Sequence, residues 1–320
     1  MSVAITKKKK NIPQQNFHFN WKEIKRNFIR HRAIFLMSIP VLIYYLIFYY
    51  APMYGVVIAF KDFSPKLGIL GSSWAGLKHF YDFFNSYYFS RLIKNTLLLS
   101  FYSILWGFPA PIIFALLLNE IKYERFKKGV QTITYMPHFI SLVVIAGLIK
   151  DFVATNGIIN DLIVYLGGER SNLLINPSLF RTIYIVSGIW QSVGFNSIIY
   201  LAAISGISPE LYEAAVIDGA GRWKQVLHIT IPSIAPTIII LFILQIGNLM
   251  NVGFEKVLLL YNDSILETAD VISTFVYRKG LLEFNYSYSA AVGLFNSVIN
   301  CILLVAANFT SRKISETSLW

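Results

Sequence analysis

Charged residues and cysteine are both scarce in this chain of 320 residues. Only 14% of the residues are Asp, Glu, Lys or Arg, whereas 55% are hydrophobic and the mean hydropathy is +0.56. Soluble domains are typically about 25% charged, so this composition excludes an ordinary water-facing surface. The single cysteine, Cys301, excludes an internal disulfide and a thiolate metal site within one chain. We interpret it as a small apolar side chain in an apolar stretch.

Six long stretches contain no charged residue at all. They are residues 33–60, 95–119, 129–149, 182–209, 225–254 and 284–311. A helix of about 20 apolar residues crosses the hydrocarbon core of a bilayer, and it satisfies its own backbone hydrogen bonds there. The pattern predicts an all-α membrane protein with six transmembrane helices. It also predicts a polar, basic N-terminal segment (1–32), a membrane domain (33–311) and a short C-terminal tail (312–320).

Basic residues are distributed unevenly between the two sides of this predicted topology. The two termini and the second and fourth connections together carry 17 basic and 7 acidic residues, whereas the other connections carry 11 and 10. Lys and Arg are retained in the cytoplasm, so we expect a multi-pass protein with both termini cytoplasmic, embedded in the lipid bilayer. The same asymmetry explains the basic balance without nucleic acid, for which the sequence has no soluble basic domain.

The fourth connection, residues 209–232, has the pattern of a helix, a turn and a second helix. Pro209 suits the first turn of a helix, and Glu210 and Glu213 lie near the positive end of its dipole. Ala214 and Ala215 leave a surface that another protein can approach closely. Glycine at position 219 then favours a break, because glycine adopts backbone angles that other residues resist. We expect an elbow that projects into the cytoplasm.

The elbow resembles a family signature over its whole length. Residues 213–232 match the pattern E-A-A-x-x-x-G, nine residues, then I-x-L-P, with Ile231 in place of the usual leucine. This pattern is typical of the permeases of binding-protein-dependent ABC importers. The resemblance implies a type I permease fold in which the elbow is the coupling helix that docks on a cytoplasmic ATPase. The residues it assigns to ATPase coupling are Glu213, Ala214, Ala215, Asp218, Gly219, Ala220, Ile229 and Pro232.

Other segments resemble one branch of that family. Residues 50–64 (YAPMYGVVIAFKDFS), 136–141 (MPHFIS) and 157–160 (GIIN) look like the polysaccharide and oligosaccharide branch of the carbohydrate permeases. The chain resembles the core of the larger maltose permease subunit, without its additional N-terminal spans and large external domain. The resemblance implies an oligosaccharide importer in a bacterial cell membrane.

The resemblance also implies the partners and cofactors. They are a second, homologous permease subunit, two cytoplasmic ATPase subunits and an extracytoplasmic solute-binding protein that delivers the oligosaccharide. The sequence contains no G-x-x-x-x-G-K-[ST] motif for phosphate binding. We therefore expect no enzymatic activity and no cofactor in this chain, with ATP and Mg²⁺ bound by the partner ATPase. The five histidines show no metal-like spacing.

Polar and aromatic side chains within the charge-free stretches are candidates for the substrate path. Amides and hydroxyls match the hydrogen-bonding surface of a neutral sugar, and aromatic rings can stack on its apolar faces. The alternative for each residue is a hydrogen bond between helices, worth about 0.6 kcal/mol on average. The candidates are Trp190, Gln191, Ser192, Phe195, Asn196, Gln245, Asn248, Asn251, Asn296 and Asn300.

Other functions remain open from sequence alone. One is an ABC importer for a solute other than sugar. Another is a secondary transporter that needs no ATPase, although the charge-free spans lack the ionisable residues that usually relay ions. A membrane enzyme is disfavoured because no catalytic arrangement of acids, bases or metal ligands stands out.

Overall fold

A computed structural model describes Arg26 and residues 30–315, with side chains described as far as Lys313. Within these residues, six helical segments are long and apolar enough to cross a membrane. They are Arg32–Phe60, Tyr88–Glu120, Leu142–Tyr165, Phe180–Ser205, Arg222–Gly247 and Tyr286–Lys313. We refer to them as spans 1 to 6. The six-helix prediction is therefore confirmed, whereas most of the predicted N-terminal segment and residues 316–320 lie outside the described residues.

The chain divides into two compact units at residues 55 and 56. The described part of the first unit contains the α-helix Arg32–Tyr45, a π-helical turn at Leu46–Tyr50 and the short helix Ala51–Met53. Proline at position 40 lies inside the first of these helices.

The boundary between the units falls within the 3-10 helix Tyr54–Phe60, and a small β-hairpin follows this helix in the second unit. Its two strands, Lys61–Asp62 and Ser73–Trp74, pair antiparallel with Lys61 opposite Trp74. This two-residue ladder is a minor departure from the all-α prediction. The hairpin encloses the short helix Gly68–Gly71 and is followed by the helix Lys78–Phe84. The Lys61 ammonium stabilises the turn by donating to the carbonyl oxygens of Ile69 and Ser72.

The remaining elements build the spans and their connections. Helical segments preceding span 4 are Tyr88–Tyr102, Ser103–Gly107, Pro109–Glu120, Glu124–Tyr135, Met136–Phe139, Leu142–Val153, Ile158–Tyr165 and Leu173–Ile175. Those from span 4 onward are Phe180–Ser205, Pro209–Ile217, Arg222–Gln225, Val226–Thr230, Ile231–Gly247, Phe254–Leu260, Asp263–Ile265, Leu266–Ala269, Ile272–Tyr277, Arg278–Leu282 and Tyr286–Ser315.

Span 3 differs from its prediction. The charge-free stretch 129–149 begins inside the helix Glu124–Tyr135, which ends at a 3-10 turn containing Pro137. A new helix then starts at Leu142, capped by Ser141, whose hydroxyl accepts from the Val144 amide. Pro137 has no amide hydrogen to continue the α-helical bonding, and the chain leaves helical geometry just after the 3-10 turn, at Ile140 and Ser141, which are extended. The observed span therefore starts 13 residues later and includes Lys150 and Asp151.

Three of the four π-helical turns in the described residues end two residues before a proline. They are Leu46–Tyr50 before Pro52, Ser103–Gly107 before Pro109, and Val226–Thr230 before Pro232. A proline removes one backbone donor and its ring clashes with the carbonyl one turn earlier. A widened turn gives that carbonyl room, so each helix continues through its proline rather than ending there.

Span 4 is the central element of the second unit. It packs against Pro109–Glu120, Glu124–Tyr135 and Ile231–Gly247, and the last of these packs against span 6. Near the elbow, Ala115, Tyr200, Ile204 and Ile234 form one buried cluster. Span 4 also approaches the backbone of Thr134 so closely at Gly194 that a Cβ there would clash with the Thr134 carbonyl oxygen.

Candidate functional site

A cavity of about 480 Å³ opens beside span 4, between spans 2 and 5. Ser103 and Phe108 from span 2 form one wall, and Leu241 and Leu244 from span 5 form another. The lining mixes apolar side chains with amides and hydroxyls, so it can hold a ligand that presents both kinds of surface.

One face of span 4 supplies most of the polar lining. Ser192, Asn196 and Tyr200 are spaced four residues apart, which places them on one side of a helix, and all three line the cavity together with Gln191. The Ser192 hydroxyl donates to the Gly188 carbonyl oxygen one turn earlier, at 2.7 Å. The Asn196 side-chain amide forms no hydrogen bond with the described part of the chain and is exposed to the cavity.

Span 5 adds Gln245 and Asn248 to the same lining. Both also border a smaller adjoining cavity of about 140 Å³, together with Asn251. Six of the ten predicted path residues thus border one of two neighbouring cavities. They are Gln191, Ser192, Asn196, Gln245, Asn248 and Asn251.

The two aromatic candidates lie outside this lining. The Phe195 ring stacks on His138 with the ring centroids 3.8 Å apart and the planes 4° from parallel. Trp190 is 43% exposed on another face of span 4. Trp190 is two residues from Ser192 and therefore points about 200° away around the helix. Phe195 is only three residues from Ser192, but its ring is stacked on His138.

The two asparagines of span 6 are buried between helices. Asn300 Oδ1 accepts a hydrogen bond from the Met250 amide at 2.9 Å, and Asn296 Nδ2 donates to Asn251 Oδ1 at 2.9 Å. Both bonds hold span 6 to the irregular chain that follows span 5. Their geometry is that of the alternative considered from sequence, a hydrogen bond between helices.

Lys256 is a lining residue that the sequence analysis did not identify. It lies in the short helix Phe254–Leu260 between spans 5 and 6, and it is the single charged residue among those that line the larger cavity. The signal available in the sequence was the pair Glu255-Lys256, which interrupts an otherwise apolar stretch (FEKVLLLY) directly after a charge-free run. Among the described residues, no three His, Cys, Asp or Glu side chains form a group that could hold a metal ion.

The elbow consists of Pro209–Ile217, a turn, and Arg222–Gln225, which begins span 5. The first helix ends in a Schellman motif: the Ala220 amide donates to the Ala215 carbonyl oxygen, and the Gly219 amide donates to that of Val216. This motif needs a left-handed residue, and Gly219 has φ +73°.

Side chains tie the elbow to its surroundings. Gln225 Nε2 donates to the Ala220 carbonyl oxygen at 2.9 Å, and the Tyr212 hydroxyl bonds Thr230 Oγ1 at 2.9 Å. Arg222 lies 3.7 Å from Glu120 at the end of span 2, in an exposed ion pair. These contacts fix the angle between the two helices of the elbow.

The predicted coupling residues fall into two groups. Glu213, Ala214, Asp218 and Gly219 are exposed on the elbow, with Ala215 and Ala220 half-buried, whereas Ile229 and Pro232 lie in the π-helical turn and the start of the following helix. The elbow also exposes Val216, Ile217 and Trp223, at 64%, 86% and 78%. These large apolar side chains, not predicted from sequence, give the elbow a surface suited to another protein.

A cavity lined by several spans and an exposed elbow between two spans are typical of a transport protein, and comparison with known proteins agrees. The model of the family of binding-protein-dependent transport system inner membrane components matches residues 68–316. The chain belongs to this family, which confirms the resemblance recognised in its sequence.

Individual relatives match over nearly the whole chain. The polygalacturonan/rhamnogalacturonan transport system permease protein YteP of Bacillus subtilis is 46% identical, covering 93% of this chain and 94% of the relative. Protein LplB of the same organism is 44% identical over 91% and 92%.

A solved structure has the same fold. A bacterial ABC transporter involved in the import of the acidic polysaccharide alginate matches with a TM-score of 0.85 and 44% identity, covering 92% of this chain and 99% of that chain. A second structure shows the alginate transporter in complex with an alginate pentasaccharide-bound periplasmic protein, again with a TM-score of 0.85.

Proposed function

We propose that this chain is a permease subunit of an ATP-driven importer for oligosaccharides or polysaccharide fragments. It forms half of the translocation path and transmits the action of cytoplasmic ATPase subunits to that path. The observation that carries the proposal is the position of span 4. This one helix lines the cavity with Gln191, Ser192, Asn196 and Tyr200, and the chain then reaches the elbow within four residues of its end at Ser205.

The elbow supplies the link to ATP hydrolysis. The chain has no phosphate-binding loop of its own, so ATP and Mg²⁺ belong to the ATPase subunits. Exposed apolar side chains at Val216, Ile217 and Trp223 give those subunits a docking surface around Glu213 and Gly219. Movement of the docked elbow turns span 4, and this movement opens or closes the cavity in an alternating-access cycle.

The relatives support the partners and the substrate class. The alginate importer was solved with a sugar-bound periplasmic protein, and YteP is named for polysaccharide transport. By analogy, the complete importer contains a second, homologous permease, two ATPases and an extracytoplasmic binding protein. The chain resides in the bacterial cytoplasmic membrane with both termini and the elbow in the cytoplasm, as the distribution of Lys and Arg favours.

Purification of the tagged chain from its native membrane, followed by reconstitution, tests the proposal. We expect a homologous permease and an ATPase to co-purify. Proteoliposomes that contain this complex and its binding protein should accumulate labelled oligosaccharides only when ATP is supplied to the ATPase side. Uptake driven by a proton or sodium gradient without ATP would instead establish a secondary transporter, and ATP-dependent uptake of a non-sugar solute alone would establish an importer of another class.

A further inference from the structure

Lys256 carries a buried charge that no acidic side chain of the described chain balances. The residue is 7% exposed, and none of the described carboxylates forms an ion pair with its Nζ atom. Buried lysines are rarely left without a counter-charge, because desolvation of an ammonium is costly. Burial lowers the pKa of Lys256 to about 8, so the ammonium group stays mainly protonated at pH 7.

The ammonium group faces the cavity with unused donors. Lysine Nζ carries three N–H donors, and one of them donates to the Tyr184 carbonyl oxygen at 2.9 Å. No other hydrogen bond from this group to a described residue is present. The Tyr184 ring, with its centroid 4.8 Å from Nζ, also holds the cation in place. Two donors are therefore left for a ligand.

Because residue 188 is a glycine, no side chain occupies the space beside the Lys256 ammonium group. A Cβ atom at Gly188 would lie 3.3 Å from Lys256 Nζ, which is closer than ordinary van der Waals contact. Gly188 also lines the cavity, one turn before Ser192 on span 4. On this face of span 4, neutral polar groups therefore lie beside Gly188, where the absence of a side chain leaves Lys256 accessible from the cavity.

We propose that Lys256 binds a carboxylate of the sugar chain in transit, so that the importer carries acidic, uronate-containing oligosaccharides. The inference deepens the proposed function and rests on it. The ammonium supplies the charge partner that such a chain needs, while Gln191, Ser192 and Asn196 meet its hydroxyl groups. This proposal differs from the sequence-based expectation of a neutral sugar, which was based on the amides alone.

Uptake by the reconstituted importer tests the assignment. The probes are trigalacturonate, its fully methyl-esterified form and maltotriose, each assayed with ATP and the binding protein. In Lys256→Met the apolar stem is kept and the charge is lost. We expect the uptake rate of trigalacturonate to fall about tenfold or more, since hydrogen bonds to charged groups are the stronger class. Lys256→Arg should retain most of the uptake.

Two further variants control for folding and location. Lys78→Met removes an ammonium that is 57% exposed and away from the cavity, so uptake should stay at the wild-type level. Gly188→Ala leaves Lys256 in the sequence but crowds its Nζ atom, so it should also slow trigalacturonate uptake. This variant keeps the test decisive if Lys256→Met does not assemble.

The outcomes separate this inference from the proposed function. Equal trigalacturonate uptake by the wild type and an assembled Lys256→Met would overturn the role of Lys256 and leave the importer assignment standing. Uptake of maltotriose or of the esterified probe, but not of trigalacturonate, would overturn the acidic substrate class in the same way. Failure to accumulate any oligosaccharide with ATP and all partners present would count against the proposed function itself.

Discussion

Asparagine side chains that look alike in the sequence occupy two different environments in this protein. Asn196 lies on the open cavity, where no described group satisfies its amide. Asn300 is 7% exposed and accepts a hydrogen bond from the Met250 amide. Removing a partner costs most where the remaining group is buried, because it then loses both its hydrogen bond and its access to water. The same substitution at the two sites should therefore have different consequences.

Replacement by leucine separates the two environments. We expect Asn196→Leu to assemble normally and to slow sugar uptake, since it removes a hydrogen-bonding group from the path. Asn300→Leu should leave the Met250 amide unsatisfied and destabilise the protein by about 1–3 kcal/mol. Thermal denaturation of the purified complex and uptake in proteoliposomes check both variants. Normal stability of Asn300→Leu together with lost uptake would place Asn300 in the path instead.

The turn of the elbow depends on one glycine. Gly219 has φ +73°, and a Cβ atom there would meet no atom within 4 Å. The cost of a substitution is therefore backbone strain, roughly 1–2 kcal/mol for an ordinary residue and more for a β-branched one. We expect Gly219→Val to insert into the membrane at normal levels but to lose ATPase association and uptake, which affinity purification and transport assays measure.

Two matched variants show whether strain is the cause. Asparagine tolerates the left-handed region, so Gly219→Asn should retain more ATPase association than Gly219→Val. Gly221 has φ −68° and equally open surroundings, so Gly221→Val should be tolerated. Equal losses in all three variants would show that the elbow surface, rather than the turn, is sensitive.

The end of span 2 that lies away from the elbow is bonded to the segment that precedes span 6. Asp270 is fully buried and forms ion pairs with Arg278 at 2.6 Å and Arg91 at 3.6 Å. Asn95 donates to the carbonyl oxygens of Glu267 and Asp270, and the Ile272 amide donates to Thr96. Together these bonds attach the connection that contains Lys256 to span 2.

Loss of the Asp270 charge should weaken the attachment of this segment to span 2. Asp270→Asn leaves two partly buried arginines without their counter-charge, and breaking such a pair costs about 3–5 kcal/mol in well-buried cases. We expect a clearly lower melting temperature in detergent, measured by light scattering or intrinsic fluorescence. Asp263→Asn, an exposed change in the same connection, should melt like the wild type. An unchanged Tm for Asp270→Asn would show that the arginines find other partners.

The charge-free runs predicted most of the spans, because a span requires only a stretch without charged residues that is long enough to cross the bilayer. The elbow was predicted because its glycine and prolines constrain the backbone locally. Span 3 was misplaced, since the run 129–149 does not show that Pro137 divides it between two helices. The different environments of Asn196 and Asn300 could not be predicted either, because tertiary contacts decide which side-chain amide is hydrogen-bonded. Lys256 was missed because its burial follows from the fold of a connection rather than from a span.

The arrangement of the second unit connects the cavity and the elbow through one rigid element. Span 4 is an uninterrupted helix of 26 residues, whereas spans 2 and 5 contain π-helical turns beside the cavity or the elbow. Such turns are points at which a helix can bend. Under the proposed coupling mechanism, force applied at the elbow would be transmitted along span 4, and its neighbours have local sites that can accommodate the movement.

The orientation of the molecule gives the most general test. In a Cys301→Ser background, a single cysteine is introduced at one of two exposed sites: Tyr165→Cys, 86% exposed at the end of span 3, or Tyr123→Cys, 80% exposed in the connection that follows span 2. A membrane-impermeant maleimide is applied to intact cells that have no permeability barrier outside the cytoplasmic membrane. It should label Tyr165→Cys alone, whereas both variants should be labelled in permeabilised cells.

The bias of Lys and Arg predicts this result, because Tyr123 lies in the basic connection between Glu120 and Glu124, on the same side as the elbow. Labelling of Tyr123→Cys alone in intact cells would place the elbow outside, where no ATPase could reach it, and would reject the coupling mechanism together with the topology.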